Sequence, residues 1–175
     1  MAIMEAIATT RLEKKAISVT FTDISGYEHL QLKASCITDN AGIQEQIYLR
    51  FNDDTAGNYY YTRLMAYQST TYANVANQTG AGFVSVNSQE AHLRKLSYSN
   101  LDITIFDYLN TNKNTSVQVR NNYATSATAW GNTMSGGGVW NNTAAVTSIT
   151  LGQASSVGTY MLRGSAISLY GIKSS

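Results

Sequence analysis

Separate short runs in which apolar and polar residues strictly alternate constrain this chain more than any other feature. Successive side chains of a strand point to opposite faces, so period-two alternation marks a ribbon buried on one side and wet on the other. Ala16 to Phe21 carries Ile17, Val19 and Phe21 in phase; His29 to Cys36 carries Leu30, Leu32, Ala34 and Cys36; Gln44 to Phe51 carries Ile47, Leu49 and Phe51. Leu101 to Ile105, Ser116 to Arg120, Thr147 to Leu151 and Ser165 to Leu169 repeat the pattern. The predicted core is therefore Ile17, Val19, Phe21, Leu30, Leu32, Ile47, Leu49, Ile103, Ile105, Ile149, Ile167 and Leu169.

Turn-forming pieces such as Asn52 to Gly57, Asn77 to Gly80 and Gly136 to Gly138 separate these runs. Short strands between such loops predict an all-β, single-domain antiparallel sandwich or barrel. Helical spacing occurs only near the start, where Ile3, Met4, Ile7, Ala8 and Leu12 could share a face, and from Gln89 to Leu96. The stretch from about Thr55 to Ser97 reads as a long irregular middle, and exposed loops of that kind commonly carry contacts.

A chain of 175 residues is long enough to bury roughly 70% of its unfolded surface, so the fold needs no metal or disulfide staple. Only 13% of residues are charged and the formal net charge is +1, which leaves no basic footprint for nucleic acid. A single cysteine and two histidines exclude an intrachain disulfide and a four-ligand zinc site. No apolar run is long enough for a membrane helix. The start, with Glu5 and no basic region before a long apolar stretch, does not read as a signal peptide.

Candidate chemistry is sparse. Asn52 to Asn58 crowds oxygen ligands but lacks the spacing and closing Glu of a calcium loop. An Asx-rich turn with Gly57 at positive φ accounts for it better. His29 is in phase with Gln31 and Lys33, the outer face of its strand, and no spacing links it or His92 to Ser25, Ser35 or Cys36 as a nucleophile. Cys36 is in phase with Leu30 and Leu32 and reads as a small core residue. Gly80 to Gly82 and Gly136 to Gly138 lack the context of a phosphate loop and read as turns. No catalytic residue, metal ligand or cofactor is assigned.

Four segments carry a resemblance. Ile17 to Leu32 has a strand, a short turn with Tyr27, and a strand around His29-Leu30; Leu49 to Tyr59, Ile105 to Lys113 and Gly164 to Lys173 follow in order. Together they resemble a family of small tailed-phage virion proteins with a jelly-roll domain. Membership implies a jelly-roll β-sandwich over residues 16–175 preceded by an N-terminal arm, residues 1–15. It also implies a structural rather than enzymatic role: a homotrimeric capsid cement or decoration protein bound to the major capsid protein on the outside of the head. The other use within the family is a tail-fibre tip that recognises host glycan. Under either use the expected contacts are Ile3, Met4, Ile7 and Leu12 of the arm, and the aromatics Tyr59, Tyr60, Tyr67, Tyr72, Trp130 and Trp140 of the loops. The short lead before the first strand, without heptads or a shaft, favours the cement role.

Overall fold

A computed structural model describes residues 3–39, 45–67, 70–78, 82–88, 98–124, 131–153 and 160–173. Twelve strands run through them: β1 (Ile3–Arg11), β2 (Ser18–Phe21), β3 (His29–Cys36), β4 (Glu45–Phe51), β5 (Tyr59–Tyr67), β6 (Thr70–Gln78), β7 (Phe83–Ser88), β8 (Ser99–Phe106), β9 (Thr115–Ala124), β10 (Gly131–Trp140), β11 (Ile149–Gln153) and β12 (Ala166–Lys173). Every strand pairing is antiparallel, in a large sheet ordered β1-β12-β3-β8-β9-β10-β5-β6 and a small sheet ordered β2-β11-β4-β7.

This order is a jelly roll. The chain passes back and forth between sheets, so that β2, β11, β4 and β7 face a layer containing β3, β10, β5 and β6. The β8–β9 hairpin is inserted between β3 and β10, and β12 and β1 extend the same sheet beyond β3. The large sheet is thereby twice as wide as the small one, eight strands against four.

One continuous core lies between the sheets, with Leu30, Leu32, Ile105, Phe51, Tyr59, Ile149, Leu151, Ile167 and Leu169 fully buried. Side chains of that size contribute about 1.5–3 kcal/mol each on burial. Eleven of the twelve predicted core residues are buried; Ile17 is 56% exposed. The chain bends at Ile17 before β2 begins at Ser18, so its side chain leaves the plane that Val19 and Phe21 follow inward.

Aromatic rings close one end of the core. Phe51 meets Trp140 at 5.6 Å and Phe83 at 5.8 Å, and Tyr59 meets Phe83 at 4.9 Å, all edge to face. The glycines that read as a turn, Gly136 to Gly138, instead lie inside β10. A Cβ on Gly138 would fall 2.7 Å from Cε1 of Phe83, so the missing side chain is what admits that ring.

The middle of the chain is not irregular: β5, β6 and β7 occupy it. Their alternation is masked because β5 places Tyr, Leu and Met on both faces and β6 is a rim strand with mostly polar residues. The start is a strand and not a helix, because Ile3 to Arg11 pairs along β12. Gln89 to Leu96, the other helical expectation, lies outside the described residues.

Candidate functional site

The turn after β4 is built around two side chains. Asn52, at φ 49°, accepts from the Thr147 and Ser148 amides at 2.8 and 3.1 Å and donates to the Ala145 carbonyl at 2.8 Å. Asp54 accepts the indole N–H of Trp140 at 2.7 Å, the Asn58 amide at 2.8 Å and the Ala56 N–H at 2.8 Å. Burial opposes ionisation of Asp54, yet these hydrogen bonds outweigh it and hold the carboxyl below its ordinary value. The segment is thus an Asx-rich structural turn, with the Asp54 carboxylate committed to protein donors. Positive φ falls on Asn52 and Asp53, short polar residues that tolerate it, and not on Gly57.

At the same end of the sandwich, Glu28, His29 and Asp107 lie together. His29 faces outward as its phase requires, but its ring packs against Phe106 and its Nδ1 accepts the Asp107 N–H at 3.0 Å. That bond takes the Nδ1 lone pair and leaves the proton of the neutral ring on Nε2, so the imidazole has no lone pair to give a metal. Lys113 binds the Asp107 carboxylate, and its hydrogen bond and charge hold that group below its usual range against the opposing effect of burial. The trio fixes the turns after β8 and before β3. Sequence spacing could not reveal it, because 78 residues separate His29 from Asp107.

A trough of about 760 Å³ lies on the large sheet. It crosses the outer face of β12, β3, β8, β9 and β10, the side of the large sheet turned away from the core. Two rows of paired residues run along it: Ala166, Ser35, Asn100, Asn122 and Thr133, then Ser168, Lys33, Asp102, Arg120 and Ser135. Ala34, Leu101 and Met134 also border it although their side chains are buried on the other face, so main chain forms part of its floor. Within the second row Asp102 is held by Gln31 at 2.8 Å and by Lys33 at 3.4 Å.

The expected contact residues divide. Ile3 and Met4 are 48% and 53% exposed, and Tyr60 and Tyr72 are 43% and 45% exposed. Leu12, Tyr59 and Trp140 belong to the core and offer nothing to a partner. Tyr59 is buried because its hydroxyl reaches the Phe51 amide at 3.2 Å and donates to the Asp54 carbonyl at 3.1 Å, and desolvation raises its pKa to about 12. Ile7 is partly buried and packs on the core. Tyr67 lies in β5 but its side chain is outside the described residues, as is Trp130 entirely. The segment expected to be an arm is a rim strand of the large sheet, paired on one side only, with Leu12 anchoring its end.

Among the described residues no helix is long and apolar enough to cross a membrane. In comparisons with known proteins, no protein-family model, curated protein or solved structure matches this chain.

Proposed function

We propose that this protein is a structural component of a tailed-phage particle, a homotrimeric cement or decoration protein that binds the major capsid protein on the outer surface of the assembled head. It works by contact and not by catalysis, and it needs no cofactor, nucleic acid or membrane. Binding the assembled lattice and not its free subunits stabilises the lattice by mass action.

The observation that carries this reading is the rim strand β1. Its nine residues pair only with β12, and Ile3 and Met4 are exposed on it. An unprotected strand edge with exposed apolar side chains is a template for another chain. Glu5, one of its two charged residues, is engaged by Lys173 at 3.1 Å, so little charge repels a neighbour. The jelly-roll strand order agrees with the fold that the family resemblance implies, though a fold by itself assigns no function.

The test is to place charge on that edge. Ile3→Asp with Met4→Asp should leave the monomer folded, since both side chains are exposed, and should abolish cosedimentation with heads that lack the protein. Undiminished binding would remove β1 as the contact.

A second reading, the tail-fibre tip that binds host glycan, is favoured by the trough on the large sheet. It cannot use Tyr59 or Trp140, which are buried.

A further inference from the structure

Neither the core nor the rim strand explains the trough on the large sheet. Its floor is the main chain of paired strands, whose N–H and C=O groups are spent on the ladders. Recognition there falls to side chains, and those are of two kinds. Ser35, Asn100, Asn122 and Thr133 are short, neutral and rich in donors and acceptors. Arg120 stands exposed in the parallel row, between Asp102 and Ser135, and among the described residues no carboxylate lies within ion-pair distance of it. Its neighbour in register, Asp102, is turned to Lys33 and Gln31 instead.

We propose that this trough binds an acidic oligosaccharide, with hydroxyl groups bonded by the Asn, Ser and Thr row and a sugar carboxylate paired to the fork of Arg120. Strands lie about 4.8 Å apart, so the rows present one side chain per strand over about 19 Å, a periodic track for an extended chain running across the strands. A guanidinium matches a carboxylate bidentately, which fixes register as well as affinity. Lys33 and Arg120 against Asp102 leave one net positive charge among these three residues, too little for the many phosphates of a nucleic acid. Among the described residues no aromatic lines the trough, and the apolar side chains of Ala34, Leu101 and Met134 that border it are buried. This rests on and deepens the glycan-tip reading, and it differs from the head-binding reading, which uses the free edge of β1 and not the outer face of β12 to β10.

The test is calorimetric titration of the intact protein with oligogalacturonate and with neutral malto-oligosaccharides of equal length. Oligogalacturonate should bind at least tenfold more tightly, and the affinity should fall as salt rises. Arg120→Gln should lower it tenfold or more while the melting temperature holds, and Lys14→Gln, which removes an equal charge at an exposed site outside the trough, should leave it unchanged. Absence of binding at millimolar oligogalacturonate, equal loss in the two variants, or equal competition by polyglutamate would overturn the assignment. None of these outcomes bears on attachment to heads, which is read separately with the Ile3 and Met4 variant.

Discussion

The carboxylate of Asp54 accepts the indole N–H of Trp140 at 2.7 Å, tying the turn after β4 to the end of β10 across 86 positions of sequence. Trp140 is 1% exposed, so its N–H has no water to fall back on. Asp54→Ala should therefore destabilise the protein by about 2 kcal/mol, the cost of a buried donor left without its charged acceptor. Trp140→Phe removes donor and need together but opens a void beside Phe51, and it should also destabilise. Chemical denaturation followed by circular dichroism measures both.

The same bonds make stability depend on pH in a stated direction. Asp54 and Asp107 titrate below their ordinary value in the folded protein. Their contribution is complete above the unfolded carboxylate pKa of about 3.9 and is lost as pH falls through the lower folded values. Melting temperature should be flat with respect to these groups near neutrality and decline below about pH 4. Asp54→Ala combined with Asp107→Ala should lessen that acid decline, and an unchanged slope would show that other carboxylates carry it.

Leu32 and Ile105 are fully buried on adjacent strands of the large sheet. Truncating either to Ala should cost about 2–5 kcal/mol. Gly138→Ala tests the opposite fault. Its new methyl would meet the Phe83 ring at 2.7 Å and the Tyr60 carbonyl at 2.6 Å, an overpacking that should cost about 1–3 kcal/mol. Phe83→Leu in the same chain should relieve the part due to the ring, which a double-mutant cycle reads directly.

Cys36 is buried on the inner face of β3, and desolvation pushes its thiol up to about 12. A thiol held neutral is a poor nucleophile. The native protein should resist a disulfide reagent at pH 8 and react fully once unfolded in denaturant; rapid native labelling would contradict the burial of β3.

How much of this was legible in the sequence follows from what each strand faces. β3, β8 and β12 have one face in the core and one in water, so Leu30, Leu32, Ile103, Ile105, Ile167 and Leu169 announce themselves by period two. β5, β6 and β10 do not, since β5 carries Tyr, Leu and Met on both faces, β6 is a mostly polar rim strand, and Gly136 to Gly138 replace the large residues that alternation needs. Tyr59 and Trp140 carry polar atoms and sit beside Asn-rich turns, which mimics a contact surface. Their polar atoms are satisfied at Asp54, for Trp140 by a carboxylate that only the tertiary fold brings near. The trough was equally hidden, because Asn100, Asn122 and Thr133 become neighbours through pairing of β8, β9 and β10 and not through spacing.

The central claim is attachment to the outside of an assembled head, and imaging decides it most directly. Cryo-electron microscopy of intact particles, compared with particles lacking this protein, should reveal twelve-stranded sandwiches in threefold groups on the outer head surface, with β1 against a neighbouring chain. Density for the sandwich only at the tail tip, with heads identical in both particles, would contradict the account.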